Sequence, residues 1–304
     1  MKKEMTKNEV LGTLLVLFTA IISGFSIIAN KFFVVSIDPL LFTALRAFFI
    51  GIIFLAISLY LTRSSKGKKF KQTSWKNLLL IGIIGGGFAF WMFFAGLKMT
   101  LGVRAAFLHK TLPIYALILA FIFLKEKITK QQLIAMGIML SGLVLMQIQS
   151  LSTEIRVGDF LVLGATFLWA IENVISKKAM INKESNWVVT FSRMFFGSLV
   201  LFSIIFLTGK TDLLLALTSQ QLIYIMVSGF FLFLYVLTWY WGLKHINLSK
   251  ASTILLLAPA VSLIFGVLWL KEPVSALQLA GSALILVGAY FIILIKSEKR
   301  TEEI

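Results

Sequence analysis

The sequence predicts an all-α polytopic membrane protein of ten transmembrane helices, built as two inverted five-helix repeats. Three observations support this fold class: ten long apolar segments, a repeat with a constant spacing, and a one-sided distribution of lysine and arginine. The 304 residues are 59% hydrophobic, with a mean hydropathy of +0.95. A soluble chain of this length could not bury so much apolar surface, so we expect much of the surface to face lipid.

The apolar segments are each about 20 residues long, which is enough to cross a hydrocarbon core of about 30 Å. Short polar stretches separate them, so consecutive segments should pack as antiparallel hairpins. The loop at 63–74 is longer, carries no apolar pattern and is expected to be mobile. The predicted segments are 10–31, 39–62, 76–97, 103–124, 131–150, 157–178, 187–208, 220–243, 250–270 and 275–295.

The two halves of the chain repeat each other at a spacing of 146 positions. The matching residues include Gly12 and Gly158, Lys31 and Lys177, Gly96 and Gly242, Pro113 and Pro259, Gly142 and Gly288, and Lys125-Glu126 and Lys271-Glu272. Because each repeat has five segments, the second starts on the side of the membrane where the first ended. The halves are therefore inverted, and exchanging their conformations would open the molecule alternately to either side. We expect the repeats to cover 10–150 and 151–295, with cytoplasmic tails at 1–9 and 296–304.

The basic residues give the orientation. If the N-terminus is cytoplasmic, twenty of the 29 Lys and Arg residues fall on the cytoplasmic side and six on the other. The remaining three, Arg46, Lys110 and Arg193, lie inside segments. This positive-inside bias predicts a cell-membrane protein with both termini in the cytoplasm, and it explains the net charge of +16 without nucleic acid.

Several chemistries are excluded by composition. The chain has no cysteine and only two histidines, so thiolate metal sites and histidine clusters are not expected. No common metalloprotease, hydrolase, dinucleotide or phosphate-loop motif occurs. We therefore predict no enzymatic activity, no catalytic residue, no cofactor and no metal.

The order of these features resembles the EamA-type transporters of the drug/metabolite transporter superfamily. The first segment of each half carries Ser23-Gly24 or Trp169-Ala170 and ends near a lysine, and the second has an early arginine, Arg46 or Arg193. The fourth carries a proline and ends in an acidic motif, at 123–127 and 269–273. The resemblance implies secondary transport of small organic solutes through a central cavity, lined by the first four helices of each half. Small multidrug relatives use a glutamate in their first helix; this chain has none there, so that role is not carried over to Glu172.

Glu172 and Arg193 lie at equal distances from the turn between the sixth and seventh segments, so they should meet about 10 Å inside the membrane. An ionisable group at that depth costs about 2.5–3.5 kcal/mol and needs a partner. Two interpretations stay open: a carboxylate that couples transport to protons or cationic solutes, or a permanent ion pair. Arg46 occupies a similar early position in the second segment, and a structural role is favoured for both arginines.

His109 and Lys110 precede Pro113, whereas their repeat equivalents are Leu255 and Leu256. This asymmetry predicts a binding role, with Lys110 facing a substrate anion and His109 donating a hydrogen bond or relaying a proton. The alternative is that Lys110 extends to the outer interface. Further candidates for the cavity wall are Asn30, Asn173, Trp169 and Trp239, and the candidate hinges are Pro113 and Pro259, whose alternative is a static kink.

These features favour a secondary active transporter that works by alternating access, as a monomer or homodimer in the lipid bilayer. The expected solute is an amino acid or other metabolite with an anionic group, moved in the direction of export, with possible proton coupling. A phosphorylated-metabolite antiporter is the main alternative. Three other classes are distinguished by their requirements. A passive channel would need a continuous polar lining, and a membrane enzyme would need a cluster of catalytic residues. A lipid-scrambling protein would move no soluble substrate.

Overall fold

The computed structural model describes residues 5–33, 36–63, 74–148, 154–271 and 273–297. Within these ranges ten long helical segments succeed one another, and no segment end differs from its predicted position by more than three residues. The prediction of an all-α protein with ten long helices is thereby confirmed. The segments are α1 Lys7–Phe33, α2 Pro39–Arg63, α3 Trp75–Met99, α4 Gly102–Phe123, α5 Lys130–Gln147, α6 Val157–Ile181, α7 Asn186–Leu207, α8 Ser219–His245, α9 Leu248–Leu270 and α10 Ala276–Leu294.

Nine of these segments, all except α5, are long and apolar enough to cross a membrane by length and composition within the described ranges. The shorter α5 begins with polar residues and packs along α10. An even number of spans returns the chain to its starting side, and the backbone N–H of Ser297 indeed donates to the carboxylate of Glu9. We call the side that holds these two residues the tail face and the opposite side the far face.

Glycines bring helices of the two repeats into backbone contact at equivalent places. A Cβ added to Gly12 of α1 would lie 3.1 Å from the carbonyl oxygen of Gly242 in α8. A Cβ added to Gly158 of α6 would lie 2.5 Å from that of Gly96 in α3. Both members of the second crossing stand 146 positions from members of the first. Small residues permit such close helix packing in lipid, and the paired crossings show that the two repeats are arranged alike.

Three spans are interrupted near the centre of the molecule. The fourth was predicted as one helix with a proline kink, but it is two helices, Gly102–His109 and Leu112–Phe123, with Pro113 in the first turn of the second. The ninth contains a 3₁₀ turn at Leu255–Leu257 just before Pro259. Proline cannot donate a backbone hydrogen bond and clashes with the preceding turn, which explains why both spans break there. The third span contains a π-helix at Ile81–Phe88.

The tail face is closed by one contact between the repeats and by another within the second repeat. The carboxylate of Glu126 accepts hydrogen bonds from the backbone N–H groups of Leu248 and Ser249, at 2.7 and 3.0 Å, and from the Ser249 hydroxyl at 2.7 Å. It therefore caps the positive N-terminal end of α9. The Lys177 ammonium donates to the carbonyls of Ile246, at 2.9 Å, and Leu243. Glu272, the side chain of Lys31 and the loop residues 64–73 lie outside the described part of the chain.

At the far face, the Lys210 ammonium lies 2.8 Å from the carboxylate of Asp38. Burial opposes ionisation of Asp38, but the hydrogen bonds from Lys210 and from the backbone N–H groups of Leu40 and Leu41 outweigh burial and lower the pKa of Asp38. The same carboxylate raises the pKa of Lys210. The pair fixes the start of α2 to the connection that follows α7.

The glycine contacts predict a difference between two Gly→Ala substitutions. A Cβ at Gly86 would overlap the carbonyl oxygen of Arg193, whereas a Cβ at Gly137 meets nothing within 4 Å. We expect Gly86→Ala to destabilise the protein by about 1–3 kcal/mol through overpacking. Gly137→Ala should leave stability unchanged or slightly increased, because alanine is the better helix former. The measurement is the apparent unfolding temperature in detergent; equal values for the two variants would contradict the contact.

Candidate functional site

A cavity of about 340 Å³ lies between the repeats, at the level of the helix interruptions. Its wall is formed by residues from α1 to α4 and from α6 to α9, and none of the lining residues belongs to α5 or α10. The cavity extends from the centre toward the far face, since Asn30 and Arg46 border it near the far-face ends of their helices. Toward the tail face it is closed by the contacts of Glu126 and Lys177.

The structure brings most of the predicted site residues together. Nine of the eleven border the cavity, and the other two, Glu172 and Pro259, do not. The nine are Asn30, Arg46, His109, Lys110, Pro113, Trp169, Asn173, Arg193 and Trp239. Their roles stay predictions, because position alone does not identify a bound molecule.

Glu172 and Arg193 form the predicted contact: Arg193 Nη1 lies 3.2 Å from Glu172 Oε2. The Glu172 side chain is 0% exposed, and its Oε1 accepts hydrogen bonds from Tyr240 and Ser176, both at 2.6 Å. The side chain fits against α3 only because residue 85 is a glycine, where a Cβ would overlap it. The carboxylate is thus buried between two hydroxyl donors and the Arg193 guanidinium, and it does not border the cavity.

His109 and Lys110 lie where α4 breaks. The imidazole of His109 packs edge-on against Trp169, with ring centroids 4.7 Å apart. Its Nδ1 is buried and has no hydrogen-bond partner among the described residues. Lys110 ends the first helix of α4, borders the cavity, and has no carboxylate within ion-pair distance in the described part of the chain. The wall therefore offers a cation and an unsatisfied imidazole side by side.

Arg46, for which the sequence suggests coupling, an ion pair or a structural role, makes no ion pair within the described ranges. No carboxylate of the described ranges pairs with this arginine, although Arg193 at the similar position of α7 has one. Arg46 Nη1 donates instead to the Ser228 hydroxyl at 2.9 Å, which donates to Asn30 Oδ1 at 2.7 Å. The guanidinium also lies 4.8 Å from the centre of the Phe42 ring. The reason is positional, since α1 carries no acid at this level.

The predicted wall residues of α6 and α8 have their polar groups occupied by hydrogen bonds within the protein. The indole of Trp239 donates to Asn173 Oδ1 at 3.0 Å, and Asn173 donates to the Trp169 carbonyl at 2.8 Å. Trp169 in turn donates to the carbonyl of Gly85 at 2.9 Å. These residues therefore present rings to the cavity, while their polar groups are already bonded.

The sequence reasoning missed several wall residues of α8. Ser228, Leu232 and Tyr235 border the cavity, as does the predicted Trp239. Their spacing of four, three and four residues places them on one face of a helix, and that pattern could have identified them. The missed hydroxyl of Ser228 matters most, because it joins Arg46 to Asn30.

Comparison with known proteins agrees with this architecture. The profile of the EamA-like transporter family matches residues 10–148 and again 156–294. A crystal structure superimposes with a TM-score of 0.77 over 93% of this chain and 98% of its own, at 17% sequence identity. At that identity the likeness concerns the fold alone.

Two relatives illustrate the similarity in sequence. An "Uncharacterized transporter" of Archaeoglobus fulgidus is 28% identical over 276 residues, which cover 89% of this chain and 94% of the relative. A "Probable amino-acid metabolite efflux pump" of Salmonella typhimurium is 28% identical over 182 residues, which cover 56% of this chain and 60% of the relative. Both names describe transport proteins.

The enclosed ion pair predicts a non-additive effect on stability. Arg193→Met should leave the Glu172 carboxylate buried without a counter-charge and destabilise the protein by about 3–5 kcal/mol. Combining it with Glu172→Gln removes both charges, so the double variant should be more stable than Arg193→Met alone. Apparent unfolding temperatures of the wild type, both single variants and the double variant test this. Additive losses would show that the two charges do not interact.

Proposed function

The chain belongs to the EamA-like transporter family, and from this premise we propose that it is a secondary active transporter of the cell membrane. It would move a small organic solute with an anionic group by alternating access. With both termini in the cytoplasm, the tail face is cytoplasmic and the cavity opens to the outside. An export direction agrees with the name of the Salmonella typhimurium relative.

The observation that supports the anionic solute is the charge of the cavity wall. Lys110 and Arg46 border the cavity, and neither has a carboxylate partner among the described residues. Arg193, the third cation of the wall, is neutralised by Glu172. A cation held at this depth needs a partner or water, and a solute carboxylate or phosphate would be a partner of opposite charge.

The repeat relation supports alternating access. In the described state, Glu126 caps the N-terminus of α9 and keeps the tail face closed. The residues 146 positions from these partners are Glu272 and Gly102-Val103, at the start of α4. We propose that opening the tail face releases Glu126 from α9, while the equivalent N-terminus of α4, at Gly102, moves to close the far face.

We propose that the Glu172–Arg193 pair is permanent and holds α6 to α7. Two hydroxyl donors and the Arg193 guanidinium surround the carboxylate, and it does not border the cavity. A coupling carboxylate would need access to protons from the cavity. The energy for transport would then come from solute exchange or from a proton carried through another group.

A phosphorylated-metabolite antiporter is the second candidate. It is favoured by the presence of two cations in the wall, since a phosphate ester carries up to two negative charges at neutral pH. Exchange assays with inorganic phosphate inside the vesicles would separate it from carriers of single carboxylates.

Removing the cation at the α4 break should impair transport. We expect Lys110→Ala to reduce counterflow in proteoliposomes at least tenfold, for the amino acid or organic acid that a counterflow screen identifies. The reason is that a charged hydrogen bond contributes about 1.5–3 kcal/mol. Lys244→Ala, at an exposed lysine of the tail face, is the matched control. Normal counterflow in Lys110→Ala would refute the role of this lysine.

A permanent pair predicts an unchanged pH profile. Transport by Glu172→Gln, measured as initial rate against pH, should be lower in amplitude but keep the wild-type shape. Should the single variant fold poorly, the double variant with Arg193→Met serves instead, because it buries no lone charge. A profile that loses its pH dependence in either variant would show that Glu172 couples transport to protons.

A further inference from the structure

The residues around Glu172 in the second repeat have equivalents in the first repeat, which we call the image of the Glu172 cluster. The image borders the cavity. The positions 146 residues before Glu172, Ser176 and Tyr240 are occupied by Ser26, Asn30 and Phe94. Arg46 stands one position before the image of Arg193. All four residues of the image border the cavity, whereas Glu172 does not.

The image lacks a carboxylate. In the second repeat the Glu172 carboxylate lies 3.2 Å from the Arg193 guanidinium. It also accepts hydrogen bonds from the Ser176 and Tyr240 hydroxyls, at 2.6 Å each. In the first repeat its place is taken by Ser26, whose side chain carries no charge.

Arg46, the arginine of the image, has few hydrogen-bond acceptors among the described residues. A single hydroxyl, that of Ser228, accepts from Arg46 Nη1. The Nε of Arg46 is buried and finds no acceptor in the described part of the chain, and the same is true of Arg193 Nε, but only Arg193 has a carboxylate beside it. A guanidinium carries five N–H groups arranged to bind a carboxylate in a bidentate manner.

We propose that Arg46, Ser26 and Asn30 form the subsite for the carboxylate of the transported solute. The solute carboxylate takes the place that Glu172 holds in the second repeat. This inference rests on the proposed transport function and makes it specific: Arg46 binds the carboxylate, and Lys110, at the α4 break, contacts another part of the solute.

Part of this geometry is already arranged for an anion. Ser228 donates its only hydroxyl proton to Asn30 Oδ1, at 2.7 Å, and accepts from Arg46. This orientation uses the acceptor of the Asn30 amide and leaves the amide N–H₂ available as a donor. The Ser26 hydroxyl is a further donor in the wall. A carboxylate could therefore receive hydrogen bonds from α1 and from α2 together.

The test restores the missing carboxylate within the protein. In Ser26→Glu the new side chain should pair with Arg46, as Glu172 pairs with Arg193, and Ser26→Gln is the neutral control of the same size. We expect Ser26→Glu to unfold at a higher apparent temperature than Ser26→Gln, with both proteins full-length in the same detergent. Sodium butyrate, compared with sodium chloride at equal ionic strength, should stabilise the wild type and Ser26→Gln but not Ser26→Glu.

Equal unfolding temperatures for the two variants, together with an equal response to butyrate, would overturn the subsite. Should Ser26→Glu fail to accumulate, Asn30→Asp introduces a charge one helical turn away without a change of size, and the wild type is its neutral reference. Asn30→Asp should likewise abolish the response to butyrate, and a retained response would also overturn the subsite.

Transport separates this inference from the proposed function. In a counterflow assay with labelled carboxylates, Ser26→Glu should lose at least tenfold in rate against Ser26→Gln. Equal counterflow in the two variants would refute the subsite and leave a transporter. The absence of counterflow from the wild type with every solute would refute the transport function, while the butyrate comparison would still decide whether Arg46 binds a carboxylate.

Discussion

The close contact between helices of opposite repeats is the constraint on which the rest of the structure depends. Lipid offers no hydrophobic drive for helices to associate, so packing must come from backbones that approach closely at small residues. Gly12 meets Gly242, and Gly158 meets Gly96, at equivalent crossings. These fixed crossings join the repeats along α1 with α8 and along α6 with α3. The cavity lies between the two crossings, where bulky and polar side chains replace the glycines.

The charges break the symmetry that the glycines establish. A charge at membrane depth is stable only with a partner or water, so each of the few ionisable residues carries information. In the second repeat Arg193 has Glu172, and the pair is enclosed. In the first repeat Arg46 has Ser228 and faces the cavity. The same helical framework thus holds an arginine paired with a carboxylate in one repeat and, in the other, an arginine without a carboxylate among the described residues.

The sequence predicts the helices well because membrane thickness sets their length and polar turns mark their ends. It also predicts the contact of Glu172 with Arg193, because residues equidistant from a hairpin turn lie at one depth. It could not give the partner of Arg46, since α2 is apolar on all sides and no periodicity fixes its rotation. For the same reason the hydroxyls of Ser228 and Tyr240 were missed. The break of α4 was predicted only as a kink, because proline alone does not tell how many hydrogen bonds are lost.

The helix interruptions and the Glu126 cap act on the same part of α9. The first part of α9, Leu248–Ile254, has its N-terminus held by Glu126, and the 3₁₀ turn before Pro259 separates it from the remainder. A continuous helix would transmit any movement at that N-terminus along its whole length to the far face. An interrupted helix lets the capped part, Leu248–Ile254, move while the part after the 3₁₀ turn stays packed. Since α4 is broken at the equivalent place, the same freedom exists in both repeats, and both half-helices border the cavity.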